Sequence, residues 1–163
     1  WFLYGIKKFF PEAHQKFTSE IPLNQKNNIL NWYHQNLNSN NNEVVLKAAS
    51  LWNEYEISCS TLKYIDRKST SYQSLAIARI ETHYFVNDCF LDPNYIIDNI
   101  KKIISLPCVI IQGRHDVICP PFNAIMLSKL LPKSSIKIVE DAGHSAFEDG
   151  IFKEVVNSLN EIY

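Results

Sequence analysis

The sequence contains little glycine and no serine framed by glycines. Four glycines occur in 163 residues, and no serine has one glycine two positions before it and another two positions after it. This G-x-S-x-G arrangement forms the sharp strand-to-helix turn on which many enzymes expose a nucleophilic serine. The 163 residues therefore contain no nucleophile of that kind.

Other absences exclude further classes of function. The chain has 16 basic and 17 acidic residues, so no basic surface for nucleic acid is expected. No apolar run approaches the roughly 18 residues of a membrane span, and the opening WFLYGIKKFF lacks the cleavage site of a signal peptide. No two of the four cysteines form a CxxC pair, which argues against a zinc or redox motif. We expect a cytoplasmic protein with reduced thiols, no cofactor or metal, and no nucleic-acid or membrane partner.

The first 91 residues have the periodicity of a helical region. Apolar residues make up 46% of the chain and charged residues 20%, as in a globular protein. The spacing of apolar residues predicts four helices in this part, separated by an asparagine-rich loop at 38–42 and a polar loop at 63–70. The predicted helices begin with Pro11 in a first turn and continue at about 25–36, 43–59 and 72–86.

From Asp92 onward, short apolar segments alternate with helical ones. Strands are predicted at 108–112 and 135–139, and helices at 95–104, 121–131 and 147–162. A strand, a helix and a second strand in succession predict a parallel pair joined by a crossover. Because two strands alone leave apolar edges and faces exposed, further strands are expected upstream of Trp1.

Asp116 and His144 each follow a predicted strand, 28 positions apart. Parallel strands end at one edge of a sheet, where α/β enzymes place catalytic groups. A buried aspartate can orient a histidine, which then acts as general base and general acid. Acid before histidine is the second half of the Ser-Asp-His order of α/β-hydrolases. Considered singly, the aspartate could be a turn cap and the histidine a loop residue.

Four stretches of the chain match one family motif by motif. Residues 78–87 read ARIETHYFVN, residues 113–120 read GRHDVICP, and residues 143–148 read GHSAFE. The aromatic start Trp1-Phe2 is followed by FFPE at 9–12. These stretches resemble the C-terminal part of the prolyl iminopeptidases, which are α/β-hydrolases with a helical cap. The resemblance implies an α/β fold in which residues 1–91 form the helical cap domain. Residues 92–163 would form the last two parallel strands and helices of the core.

The resemblance also implies roles for particular residues. Asp116 and His144 match the acid and base of the catalytic triad, whose serine lies in the upstream part of such an enzyme. Two glutamates match residues that bind the free α-amino group of the substrate, and two aromatic residues match the pocket for the proline ring. These substrate-binding residues are Glu56 and Glu81, and Phe85 and Phe2, respectively.

The chemistry of these residues suits a peptide that begins with proline. Two carboxylates can hold one ammonium group by charge-assisted hydrogen bonds, and a flat apolar pocket suits a pyrrolidine ring. Glu56 could instead lie on a solvated helix face. The Asn87-Asp88-Cys89 step departs from a step that more usually contains glycine in this family.

Three functions are compatible with these observations. The first is the C-terminal portion of a serine aminopeptidase that releases N-terminal proline, inactive without its upstream part. The second is another capped α/β-hydrolase, such as an esterase or epoxide hydrolase, which shares the Asp and His but needs no ammonium-binding glutamates. The third is a non-catalytic truncated module that uses the helical region as an interaction surface.

Overall fold

A computed structural model describes residues 1–63 and 71–162 of the chain. The described part is rich in helix and contains a two-stranded parallel sheet. It divides into two compact units, one formed by residues 1–58 and 71–92 and the other by residues 59–63 and 93–162. Beyond Lys63, the predicted polar loop at 63–70 lies outside the described residues.

Four helices account for most of the first unit, and they confirm the four helical segments predicted from periodicity. Pro11 occupies the first turn of its helix, as expected for a residue without a backbone N–H. The second helix begins later than predicted because a separate 3-10 helix, Leu23–Gln25, precedes it. The helices are α1 (Pro11–Phe17), α2 (Ile29–Leu37), α3 (Asn42–Ser60) and α4 (Ser71–Val86). Within the described residues, no helix combines the length and apolar character needed to cross a bilayer.

Aromatic side chains form the core of the first unit. Phe17, Tyr33, Trp52 and Tyr55 are each at most 1% exposed. The Phe17 ring stacks on Tyr33, with ring centroids 4.6 Å apart, and on Tyr55, with centroids 4.3 Å apart. Rings of this size bury a large apolar area for few rotatable bonds, so this cluster holds α1, α2 and α3 together.

Tyr33 contributes a polar contact to this core. Its hydroxyl donates a hydrogen bond to the main-chain carbonyl oxygen of Phe17, at the end of α1. Burial raises the pKa of Tyr33 well above its ordinary value, so the hydroxyl stays neutral and keeps its proton for this bond. The bond satisfies a carbonyl that the helix end would otherwise leave without a partner.

The segment after α4 has an unusual backbone. Asp88, Cys89 and Phe90 have φ angles of 50°, 55° and 57°, and Asn94 has a φ of 66°. These values lie in the left-handed region, which costs an L-residue about 1–2 kcal/mol. The step that departs from the family's glycine-containing pattern therefore adopts a conformation that glycine would reach more easily.

The second unit contains the sheet. Its elements are α5 (Tyr95–Asp98), a 3-10 helix (Ile100–Lys102), β1 (Cys108–Gly113), α6 (Pro121–Leu130), β2 (Ser134–Val139) and α7 (Asp149–Ile162). The prediction of one continuous helix over 95–104 is wrong. At the break, the Tyr95 carbonyl oxygen accepts hydrogen bonds from both the backbone N–H of Asn99, at 3.1 Å, and its side-chain amide, at 2.8 Å.

The two strands pair in parallel, as predicted. The register joins Cys108 to Ser134 at one end and Gly113 to Val139 at the other. Both strands therefore end at the same edge of the sheet, where the chain continues into two loops. Most strand residues are only half-buried, so neither face of this sheet is fully covered within the described residues.

Replacement of Tyr33 by phenylalanine tests the polar contact in the aromatic core. The Phe17 carbonyl would lose its partner while the ring packing is retained, so the free energy of unfolding should fall by about 1–3 kcal/mol. Urea denaturation of the variant measures the change. Tyr72→Phe is the matched control, because Tyr72 is 84% exposed. Equal stability of the two variants would show that the Tyr33 hydroxyl contributes nothing.

Candidate active site

The loops after β1 and β2 bring Asp116 and His144 together. The His144 Nδ1 atom lies 2.9 Å from the Asp116 Oδ2 atom. The loops run side by side because the Arg114 N–H donates to the Val139 carbonyl and the His115 N–H to the Ala142 carbonyl, each at 2.9 Å. The predicted pairing of acid and histidine at one sheet edge is thus present in the structure.

Each oxygen of the Asp116 carboxylate accepts two hydrogen bonds. Oδ1 accepts from the main-chain N–H groups of Ile118 at 3.0 Å and Cys119 at 2.8 Å. Oδ2 accepts from His144 Nδ1 at 2.9 Å and from the side-chain amide of Gln112 at 3.1 Å. The Asp116 side chain is only 6% exposed. Turn capping and histidine orientation, which were alternatives in the sequence, therefore occur together on separate oxygens.

Gln112 is a site residue that the sequence did not reveal. Its amide also donates to the carbonyl oxygens of Gly113 and Cys119, each at 3.2 Å. The amide thereby links the end of β1 to the turn that carries the carboxylate. The available signal was a single amide side chain at the end of an otherwise apolar run, VIIQG.

Hydrogen bonds donated by its main-chain N–H groups fix the loop that carries His144. The Ser60 carbonyl accepts hydrogen bonds from the N–H groups of His144 and Ser145, each at 2.8 Å. The Glu148 carboxylate accepts from the Gly143 N–H at 2.7 Å and from the Leu62 N–H at 3.0 Å. Glu148 was visible in the sequence only as the last residue of GHSAFE. Its carboxylate now explains how the loop before His144 is held.

Gly113 allows the two loops to approach closely. A Cβ atom at this position would lie 1.9 Å from the Gly143 carbonyl oxygen and 2.7 Å from the Ala142 carbonyl oxygen. Both contacts are with main-chain atoms, so a side chain could be accommodated only by moving the backbone. Glycine at the end of β1 is therefore a condition for the close approach of the His144 loop.

The electrostatics of the pair favour a protonated imidazole. The hydrogen bond to the Asp116 carboxylate, with a further one to the Cys119 side chain, raises the pKa of His144 to about 10, although partial burial acts in the opposite direction. A carboxylate next to an imidazole stabilises the imidazolium form. The site can therefore stabilise a positive charge on the imidazole when it has taken up a proton.

A second cluster lies in the first unit and contains three of the predicted substrate-binding residues. The rings of Phe2 and Phe85 have centroids 6.3 Å apart. The Trp52 ring packs against both, with centroids 5.6 Å from Phe2 and 6.2 Å from Phe85. The Trp52 Nε1 atom donates to the Glu81 Oε2 atom at 2.6 Å. The structure thus brings Phe2, Phe85 and Glu81 together around a tryptophan that the sequence had not indicated.

Glu56, the fourth predicted substrate-binding residue, is half-buried on α3. It follows Trp52 by four residues on that helix, so the two side chains share a helix face. Its role in binding an ammonium group stays a prediction. Within the ranges 1–63 and 71–162, no group of three or more His, Cys, Asp or Glu side chains is arranged to hold a metal ion.

Replacement of Asp116 by asparagine tests the cause of the raised histidine pKa. The neutral amide no longer favours the imidazolium, so the pKa of His144 should fall from about 10 towards its ordinary value. NMR titration of the imidazole resonances measures the shift. Asp141→Asn removes an exposed carboxylate from the β2 loop and should leave the His144 titration in place.

The same pair predicts a pH dependence of stability. Because the pKa of His144 is higher in the folded chain than its ordinary value of 6.5, the pair stabilises the fold fully below about pH 6.5. That stabilisation is lost as the pH rises through about 10. In Asp116→Asn this slope should largely disappear from denaturation midpoints measured between pH 6 and 10. An unchanged slope would exclude the pair as its source.

No family model matches the chain, but curated proteins do. A proline iminopeptidase of Arabidopsis thaliana is 39% identical over 96% of this chain and 43% of the relative. One of Neisseria gonorrhoeae is 37% identical over 97% of this chain and 51% of the relative. One of Xylella fastidiosa is 38% identical over 91% of this chain and 49% of the relative. The chain spans about half the length of these proteins, consistent with their C-terminal portion, and it is a relative of the proline iminopeptidases.

Proposed function

We propose that the chain is the C-terminal portion of a serine aminopeptidase that releases proline from the N-terminus of peptides. In this proposal residues 1–91 are the helical cap and residues 92–163 are the end of an α/β-hydrolase core. The observation that carries the proposal is the 2.9 Å hydrogen bond between His144 and Asp116 at the ends of adjacent parallel strands. The similarity to proline iminopeptidases over nearly the whole chain supports the same assignment.

Asp116 and His144 act as the orienting acid and the base. Because Nδ1 of His144 is engaged by the carboxylate, Nε2 is the nitrogen that takes the proton from a nucleophilic serine hydroxyl. The carboxylate stabilises the resulting imidazolium, which then gives the proton to the leaving amine. The raised pKa of His144 makes its neutral imidazole a stronger base for the first of these steps. The first step requires the neutral form, so turnover should increase as the pH rises above neutrality.

The nucleophile belongs to the upstream part of the enzyme. The absence of G-x-S-x-G from the 163 residues and the length of the relatives support this assignment. Exposed apolar side chains support it as well: Phe122 on α6 is 69% exposed, and Phe152 and Leu159 on α7 are 58% and 52% exposed. In a complete core, further strands and helices cover such surfaces.

The second cluster supplies the recognition of substrate. The Glu81 carboxylate binds the α-ammonium group of the substrate, and the Glu56 carboxylate binds the same group. Phe2 and Phe85 line the pocket for the pyrrolidine ring, and Phe85 is 37% exposed, so its ring is open to a ligand. The α-ammonium group exists only at the N-terminus of a peptide, so the carboxylates select that end over an internal amide.

We assign the protein to the cytoplasm. All four cysteines are free, and free thiols are typical of proteins kept in a reducing compartment.

Replacement of Glu81 by glutamine in the full-length enzyme tests ammonium recognition. Loss of a charge-assisted hydrogen bond should lower kcat/KM for a proline arylamide by about 10- to 100-fold. Steady-state kinetics measure the change. The matched control is Glu43→Gln, which makes the same change at an exposed position of α3. Unchanged kcat/KM in Glu81→Gln would favour another capped hydrolase, which needs no ammonium-binding carboxylate.

The proposal places Asp116 and His144 in this chain and the nucleophilic serine upstream of it, so this chain alone is predicted to be inactive. The isolated 163 residues should give no turnover of a proline arylamide above buffer, while the full-length enzyme should turn it over and lose activity on treatment with a serine-directed phosphonate. His144→Ala in the full-length enzyme is the control for catalysis by the triad. Turnover by the isolated chain that is sensitive to the serine reagent would contradict the proposal.

A further inference from the structure

Trp52 lies at the centre of the second cluster, among Phe2, Phe85 and Glu81, and its side chain is not exposed to solvent. Its exposure is 0%, and its indole Nε1 donates to the Glu81 Oε2 atom at 2.6 Å. We propose that Trp52 is the positioning residue for the Glu81 carboxylate and so determines how tightly the ammonium group of the substrate is held. This inference rests on the proposed function, because it assigns to Glu81 the binding of that group.

Neighbouring rings hold the Trp52 indole on several sides, so its N–H group can donate in one direction only. Its centroid lies 5.2 Å from that of Tyr33, 5.6 Å from that of Phe2 and 5.7 Å from that of Phe17. Close packing against these rings fixes both side-chain torsions of the tryptophan. The single N–H group of the indole therefore points at a fixed place, and the carboxylate oxygen that accepts it is fixed as well.

The chemistry of the indole suits a positioning role rather than a binding role. Indole N–H is a donor without an acceptor atom, so it cannot accept a hydrogen bond from an ammonium group. It can hold one carboxylate oxygen while the full negative charge remains on Glu81. This bond is short and part-buried, and a hydrogen bond to a charged acceptor is among the stronger hydrogen bonds in proteins.

Positioning matters because glutamate is a flexible side chain. Fixing such a side chain costs about 1.5–2 kcal/mol of rotamer entropy. Because the bond to Trp52 already fixes the Glu81 side chain in the folded protein, this loss of entropy does not recur when the substrate binds. Loss of the bond should therefore weaken the binding of substrates that carry an ammonium group. It should leave the chemical step at His144 nearly unchanged.

Kinetics of Trp52→Phe in the full-length enzyme test the inference. The variant retains an aromatic ring but lacks the N–H. KM for a proline arylamide should rise about tenfold, while kcat stays within about twofold, and hydrolysis of p-nitrophenyl acetate, which has no ammonium group, should not change. Trp32→Phe is the matched control, because Trp32 lies on α2 and its ring packs on Tyr33. An unchanged KM in Trp52→Phe would overturn the inference.

A double-mutant cycle separates positioning from packing. If Trp52 acts through Glu81, then Trp52→Phe should have little further effect on KM in a Glu81→Gln background. Fully additive effects would show that Trp52 acts only by packing. Absence of proline arylamide hydrolysis by the wild-type enzyme would instead reject the proposed function, so the two failures are distinguishable.

A spectroscopic readout avoids dependence on the folding of the Trp52 variant. In the wild-type enzyme the Trp52 indole N–H resonance should lie well downfield, because its acceptor is a nearby carboxylate. In Glu81→Gln the resonance should move upfield, and in Glu43→Gln it should stay in place. A resonance that does not respond to Glu81→Gln would overturn the inference even if Trp52→Phe failed to fold.

Discussion

The carboxylate of Asp116 is the point on which the second unit depends. It is nearly buried, and an ionised carboxylate in such a place must be satisfied by donors. Two main-chain N–H groups close the turn after β1, the Gln112 amide links that turn to the strand, and His144 joins it from the loop after β2. One charged group therefore fixes the shape of a turn, the orientation of a histidine and the contact between two loops.

The first unit also contains a carboxylate that needs a hydrogen-bond donor, and there the donor belongs to an aromatic ring. A part-buried carboxylate, that of Glu81, lies at the edge of a cluster that is otherwise apolar. One donor to this carboxylate is the indole N–H of Trp52, whose ring is fully buried. In both units the charged group that carries the proposed chemistry is held by a neutral side-chain donor, Gln112 or Trp52, which leaves its charge intact.

The sequence predicted the elements better than the contacts between them. Helical and strand periodicity located four helices of the first unit and the parallel pair of the second because these signals are local. The segment predicted as one helix over 95–104 is divided into a short helix and a 3-10 helix, a break that apolar periodicity alone does not predict. The partners of the site could not be predicted, since the contact between Glu148 and Leu62 joins residues 86 positions apart. Motif resemblance indicated Asp116, His144 and Glu81, but not the donors that hold them.

The backbone after α4 has a consequence for the evolution of this protein. Asp88, Cys89 and Phe90 all occupy the left-handed region, in a segment that leads towards the boundary between the two units at Asp92. Each non-glycine residue there carries a conformational cost that a single substitution to glycine would relieve. The protein thus keeps a reserve of stability that remains accessible by point mutation. Such a reserve could offset destabilising changes elsewhere, including changes that alter the substrate pocket.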